Sequence, residues 1–259
     1  MSRILITGTR AGIGLDAAKR LLALGHTVYA TVHHSESIEA LKEELKEFGQ
    51  LAIVEKLDIL DSSDIEKVKD WKIDILVNNA AIGNSGPLAE IPVEKIKEVF
   101  ETNVFAGIVL AQKCIPYMIE QGHGKLLFVG SLEGLSGSPF LAPYSMTKYT
   151  VENIGSSFRK ELKPLGIDVT VINPGAYSTG FNQKNFTKKQ EWFNENGLYK
   201  NHLSAVGSTE KKITFFEEKS TKSIAMKIVN AVEAKRMKRR YAAPFLQWII
   251  VYLLRTFNI

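Results

Sequence analysis

The chain has 259 residues, 45% of them hydrophobic, and a formal net charge of +5. That composition supports a sizeable core and excludes an intrinsically disordered chain. Cys114 is the only cysteine, which excludes an internal disulfide and a thiolate metal cluster and makes a small buried apolar residue its expected role. No secretory signal is recognisable and no run approaches 18 consecutive apolar residues, so the expected setting is cytoplasmic with no spanning helix. Positive charge concentrates in Lys235-Arg236-Met237-Lys238-Arg239-Arg240, but no zinc-finger spacing or aromatic RNA motif accompanies it. Nucleic acid is therefore not an expected partner.

Arg3 to Thr7 is a short apolar run, read as a buried strand. Thr7-Gly8-Thr9-Arg10-Ala11-Gly12-Ile13-Gly14 follows, and then Leu15, Ala18, Leu21, Leu22 and Leu24 recur at helical spacing up to Gly25. Strand, tight glycine turn and helix is the context in which backbone can approach a pyrophosphate and a helix N-terminus can face it. The spacing is Gly-x-x-x-Gly-x-Gly, which differs from the Gly-x-Gly-x-x-Gly dinucleotide fingerprint. Thr27 to Val32 reads as a second strand, and Ser35 as the N-cap of a helix from about Glu36 to Phe48. Leu51 to Leu57 is a third strand closing at Asp58, and a short charged helix follows from Ser63 to Asp70. Ile73 to Val77 is a fourth strand, ending in Asn78-Asn79-Ala80-Ala81.

A loop from Gly83 to Pro92 leads to a long helix, Val93 to Gln121, containing Asn103 and a kink expected at Pro116. The fifth strand, with Leu126-Leu127-Phe128-Val129, runs to Ser131. A helix to about Leu162 carries Tyr144 and Lys148, and Ile167 to Ile172 is a sixth strand closing at Asn173-Pro174-Gly175. Strands alternating with helices argue for a parallel sheet with crossover helices on both faces. Residues 176–220 are polar with scattered aromatics (Phe181, Phe186, Trp192, Phe193, Tyr199, Phe215 and Phe216) and read as a mobile substrate lid with short helices. Helical periodicity returns from Ser223 to Ala234, Arg240 to Ala243 is a short last strand, and Phe245 to Phe257 is an apolar helix. With no repeat or low-complexity linker, residues 1–259 are read as a single domain.

Tyr144-Ser145-Met146-Thr147-Lys148 places a phenol and an ammonium four apart, on one helix face. An ammonium favours the phenolate, so the pair suits a tyrosine tuned for acid/base work. Ser131, thirteen positions earlier at a strand end, would hold a substrate oxygen beside Tyr144. Alone, Tyr-x-x-x-Lys is a common pattern on solvated helix faces. Joined by the glycine motif, Asn78-Asn79-Ala80, Asn103 and Pro174-Gly175 in order, it resembles the short-chain dehydrogenase/reductase family of the Tyr-x-x-x-Lys type.

That resemblance implies a Rossmann-type, doubly wound parallel sheet with strand order 3-2-1-4-5-6-7 and helices on both faces. It implies Tyr144 as catalytic acid or base, Lys148 lowering its pKa and holding the nicotinamide ribose, Ser131 orienting the substrate and Asn103 holding a relay water. It also implies cofactor contacts at Gly8, Gly12, Ile13, Gly14, Asp58, Asn79, Pro174, Gly175 and Thr179. The implied activity is NAD(P)(H)-dependent interconversion of a carbonyl and a hydroxyl. The alternatives are a catalytically idle NADP(H)-binding sensor on the same fold, and nucleotide-sugar epimerase or dehydratase chemistry. A homodimer or homotetramer is implied, with the long helices around 93–121 and 142–162 as its faces.

An acid at the end of the second strand would mark NAD, and a basic residue the 2′-phosphate of NADP. The strand ends Thr31-Val32-His33-His34 without an acid, and Arg10 lies in the glycine loop, so NADP(H) is favoured over NAD(H), with His33 facing the same region. No metal is expected. Leu132, Glu133, Leu135, Pro139, Phe140 and Tyr177 are the expected pocket wall, with Glu133, Phe140 and Tyr177 as substrate contacts. Their apolar, aromatic mix suits a steroid, a retinoid, or a fatty or aromatic ketone or aldehyde. Phe245–Phe257 has three readings: packing under the lid, a subunit interface, or contact with a membrane surface beside the basic cluster.

Overall fold

The computed structural model describes residues 1–189, 196–202, 211 and 213–257. Seven strands, β1 (Arg3–Ile6), β2 (Thr27–Val32), β3 (Ala52–Lys56), β4 (Ile75–Asn78), β5 (Gly124–Val129), β6 (Ile167–Pro174) and β7 (Arg240–Ala243), form one sheet in the order 3-2-1-4-5-6-7. Every neighbouring pair is parallel. Parallel strands covered on both faces need apolar side chains on both sides, which is why they read as unbroken runs. Ile4 and Ile6 enter the layer built with α1 (Gly12–Ala23), α2 (Ile38–Leu45) and α8 (Lys222–Glu233). Leu5, between them, enters the opposite layer, built with α3 (Ser62–Lys67), α5 (Ala106–Glu120) and α6 (Ala142–Leu162). Each side chain of that size, fully buried, contributes about 1.5–3 kcal/mol, so alternate strand positions drive the two layers together.

The expected helix from Glu36 to Phe48 is shorter. Ser35–Ser37 forms a tight 3₁₀ turn, the residue at the N-cap of α2 is Ser37 with no side-chain bond, and Gly49 at φ +54° ends the segment in a left-handed kink. The long helix is α4 (Val93–Phe100) running into α5 through a π-helical turn, Glu101–Phe105. Such widened turns recur at functional sites, and this one contains Asn103. By length and mean hydropathy, 1.2, residues Val93–Glu120 would suffice to cross a membrane. Val99, Val104, Leu110, Ala111, Cys114 and Met118 are nevertheless buried inside the protein, as in a core helix. Burial pushes the Cys114 thiol up to about 12.

Beyond β6, Ser178 and Glu218 close a short parallel pairing through Ser178 N to Glu218 O (3.0 Å) and Glu218 N to Ala176 O (3.0 Å). Between them runs α7 (Phe181–Lys189). Trp192 and Phe193, expected in the lid, lie outside the described residues. The chain ends in α9 (Phe245–Phe257), which follows β7 on the open edge of the sheet.

Candidate active site

Strand order reverses at β1, with β2 on one side and β4 on the other, leaving a crevice beyond their carboxyl ends. The chain leaves β1 through Gly8 at φ +71° and enters α1 through Gly12 at φ +66°, conformations that glycine adopts at little cost. A Cβ on Gly14 would sit 2.6 Å from the Gly8 carbonyl oxygen and 2.7 Å from Asn79 Nδ2, so that position has no room for a side chain. Asn79 Nδ2 donates to the carbonyls of Thr7 (2.8 Å) and Gly8 (3.1 Å), while Thr7 Oγ1 accepts from the backbone of Asn79 and Ala80, both at 2.9 Å. The glycine turn is thus tied to the end of β4. No carboxylate occupies the first turn of α1, and Ala11 at its N-cap supplies no side-chain bond. Those N–H groups and the helix dipole favour an anion.

Around this cradle, a Cβ on Gly12 would meet the Thr179 methyl at 3.1 Å, which brings Thr179 over the glycine turn. Arg10 is exposed on the turn. Val32, where an acid would mark NAD, is 1% exposed and belongs to the core. His33 follows it, and its Nε2 meets Asp58 Oδ2 at 3.2 Å. Ile13 is partly buried against the core.

Ser131, Tyr144, Lys148 and Asn103 come together from three elements. Ser131 follows β5, and Asn173 Nδ2 on β6 holds its carbonyl at 3.0 Å. Its hydroxyl accepts from Glu133 N at 3.1 Å, donates to the Pro174 carbonyl at 3.5 Å, and lies near enough to the Tyr144 phenol to lower its pKa. Lys148 is buried, donates to the Val129 carbonyl at 2.8 Å and lies 5.5 Å from the centroid of the Tyr144 ring. Asn103 accepts from Ile82 N at 2.8 Å and donates to Ile82 O (2.9 Å) and Thr147 Oγ1 (3.1 Å). A polar cavity of about 10 Å³, lined by Asn103, Lys148, Asn78, Thr7 and Val129, lies behind them. That is about the room one water needs.

Burial dominates the electrostatics at Tyr144. Desolvation raises the Tyr144 pKa well above its ordinary value; the nearby Ser131 hydroxyl opposes this, and the Glu133 carboxylate adds to it. The Lys148 ammonium lies 5.5 Å from the centroid of the ring and gives its hydrogen bond to the Val129 carbonyl. The ammonium is itself desolvated, its pKa brought down to about 8.

Two expected substrate contacts lie elsewhere. Tyr177 is 3% exposed in the core, with its hydroxyl 2.8 Å from Ser223 Oγ on α8. Burial pushes its phenol up to about 12. Glu133 turns inward, accepting from Ser138 N (3.1 Å), Ser138 Oγ (2.7 Å) and Ser145 Oγ (3.1 Å). Desolvation raises its pKa, and these three bonds oppose the rise. Phe140 stays at the rim, in the left-handed region at φ +66°, its ring edge-on to Tyr199 at 5.3 Å. Pro174 and Gly175 close β6, and the Gly175 N–H donates to the Ala243 carbonyl at 2.8 Å.

Three residues near the site carried no sequence signal beyond their chemical type. Phe181, at the start of α7, stands 5.5 Å from the Tyr144 ring, centroid to centroid. Asn185 on α7 is buried, its backbone carbonyl accepting from Ser85 Oγ at 2.6 Å. Gln247 on α9 accepts from Ala176 N (2.8 Å) and donates to Phe216 O (2.6 Å), joining the two ends of the segment between β6 and α8.

The fold and this site define a Rossmann-type chain with a Ser, Tyr, Lys and Asn cluster beside a glycine cradle. Residues 2–190 match the family described as short chain dehydrogenase, and the chain belongs to that family. It is 29% identical over 250 residues to human 17-beta-hydroxysteroid dehydrogenase type 1, covering 92% of this chain and 76% of that one. It is 31% identical over 188 residues to the NADPH-dependent 3-dehydrocapnine reductase of Ornithobacterium rhinotracheale, covering 69% and 66%. An oxidoreductase of Bacillus subtilis, 36% identical over 182 residues, is matched over 65% of its length, so the match spans just under two thirds of that protein and of the Ornithobacterium enzyme. A short-chain dehydrogenase from Streptomyces avermitilis superimposes with a TM-score of 0.82 at 23% identity over 99% of this chain and 94% of that one.

Proposed function

We propose that the protein is an NADP(H)-dependent oxidoreductase that interconverts a carbonyl and a hydroxyl on a hydrophobic small molecule. The observation that carries the reading is the meeting of Ser131, Tyr144 and Lys148 at the carboxyl end of β5, where Lys148 donates to the Val129 carbonyl and lies 5.5 Å from the Tyr144 ring, beside a glycine cradle in which Gly14 has no room for a Cβ. The cradle fits a dinucleotide diphosphate, with Gly8, Gly12 and Gly14 at the anion and Thr179, Pro174, Gly175 and Asn79 around it. The nicotinamide, when bound, supplies or accepts the hydride. Ser131 orients the substrate oxygen. In reduction, Tyr144 gives its phenolic proton to that oxygen. Lys148 balances the phenolate that remains, and Asn103 with one water in the small cavity returns a proton from solvent.

Arg10 and the absence of an acid at Val32 support NADP(H) over NAD(H), as does the relative whose name states NADPH dependence. Phe181 beside Tyr144, with Phe140 at the rim, makes an aromatic wall, and one relative is a hydroxysteroid dehydrogenase. A steroid, retinoid, or fatty or aromatic carbonyl is the class proposed. Exposed Phe105, Val109 and Ile119, in and around α5, together with Met146 and Tyr149 on α6, support a homo-oligomer through those helices.

The test is oxidation of NADPH and NADH against a panel of such carbonyls, with Tyr144→Phe beside the natural sequence. The expected result is turnover that falls roughly 10²–10⁴-fold in the variant while cofactor binding persists. Tight cofactor binding without turnover on any carbonyl would favour the idle sensor instead.

A further inference from the structure

α9 is built the wrong way round for a helix that ends in water. Its protein side carries Gln247, Val251 and Leu254, each only partly buried, and no residue of the helix is buried. Its outer side carries Leu246, Ile250, Leu253 and Phe257, spaced i, i+4, i+7 and i+11 and therefore on one stripe. These are 64%, 39%, 47% and 68% exposed. Phe245 and Tyr252 are exposed elsewhere on the helix, and the partly buried Trp248, on the face away from the stripe, stacks on Tyr252 at 5.6 Å. Contiguous exposed apolar surface of this kind marks an interaction site.

The charge around the helix says what covers it. From Lys222 to the end, the sequence holds eight lysines and arginines and one acid, Glu233. Lys235, Arg236, Lys238 and Arg239 are exposed on the segment entering β7, and α9 leaves the other end of that four-residue strand. α9 itself carries Arg255 and no carboxylate. Apolar residues with interfacial aromatics, in a C-terminal segment whose charge is predominantly positive, match the surface of an anionic bilayer, with Glu217 and Glu218 as the acids by the point where Gln247 is tied. A partner protein patch would more commonly offer mixed charge.

We infer that α9, with the basic segment at the other end of β7, seats the protein on anionic membrane surfaces, with α9 lying in the plane of the lipid interface. The helix is 13 residues long, too short to span a bilayer. Gln247 ties this helix to the base of the lid at Ala176 and Phe216, so the seated helix brings the lid, and the pocket of the proposed reductase, to the lipid. The membrane inference stands on the helix and its charge, whether or not the proposed reaction is the right one.

The test is flotation of the full chain with vesicles of phosphatidylcholine alone and of phosphatidylcholine mixed with phosphatidylserine. A double variant, Leu246→Glu with Leu253→Glu, is run alongside, its folding checked by cofactor binding and thermal unfolding. The expected result is flotation with the anionic vesicles, weakened by salt and lost in a double variant that is still folded. A chain that stays at the bottom of the gradient with anionic vesicles overturns the inference. So does a stripe that proves to be covered by a second copy, seen as a dimer that dissociates in the double variant while neither protein floats. Should the double variant fail to fold, Lys235→Glu with Arg239→Glu gives the second reading: unchanged flotation there rules out the anionic surface.

Discussion

The ammonium of Lys148 lies against the ring of Tyr144, 5.5 Å from its centroid, and gives its hydrogen bond to the Val129 carbonyl. Burial brings its pKa from 10.5 down to about 8, so the folded protein holds that proton less tightly than the unfolded chain does. The sign follows from linkage: between pH 8 and 10.5 the unfolded state binds more protons, and stability rises with pH across that window. The depression corresponds to roughly 3 kcal/mol at full extent. Thermal unfolding from pH 7 to 10 should show this gain in the natural sequence and lose it in Lys148→Met. A flat profile in both would show that Lys148 is well solvated.

Gly14→Ala should damage the cradle directly, because the added Cβ would meet the Gly8 carbonyl oxygen at 2.6 Å and Asn79 Nδ2 at 2.7 Å. Neither atom can withdraw without breaking the tie between the glycine turn and β4. Cofactor affinity is expected to fall at least about tenfold, or 1.4 kcal/mol, measured by fluorescence titration. Gly137→Ala, where a Cβ meets nothing within 4 Å, is the control that should bind as before.

Arg10→Ala should weaken NADPH binding far more than NADH binding. A charge-assisted bond to a 2′-phosphate contributes about 1.5–3 kcal/mol, roughly ten- to a hundredfold in Kd. Calorimetric titration of both cofactors decides it, and equal losses would remove Arg10 from the 2′-phosphate site.

Glu133 acts on Tyr144 through charge, since its carboxylate adds to the rise of the phenol pKa. Glu133→Gln keeps an acceptor for Ser138 and Ser145 but removes the negative charge. The phenol pKa should therefore fall, and the pH–rate limb for alcohol oxidation, which needs the phenolate, should move to lower pH. Steady-state rates across pH 6–10 would show it; an unmoved limb with lower rates would mean that the residue serves only to hold the loop.

Much of this fold can be read from pattern. The runs Ile4-Leu5-Ile6, Leu76-Val77 and Leu126-Leu127 are unbroken because both faces of each strand are covered, and that forces crossover helices and a parallel sheet. The glycine turn is legible for a related reason: φ above zero at Gly8 and Gly12 and the missing Cβ space at Gly14 tolerate little else. The π-helical turn at Glu101–Phe105 left no such trace, since it follows from how Asn103 is held by Ile82 across the loop. The inward turn of Glu133 and the burial of Tyr177 were equally unreadable, because each depends on partners, Ser145 and Ser223, brought up by other elements.

The residue types, their order and their periodicity determined the strands, the sheet order implied by resemblance, and which side chains stand at strand ends. These are local properties, set by side-chain period and by the backbone conformations that glycine permits. Only the tertiary structure decided that Phe181 stands beside Tyr144, that burial raises the phenol pKa, and that Gln247 joins the last helix to Ala176 and Phe216. Those depend on distances between elements far apart in the chain, where burial and a few ångströms set which interaction prevails.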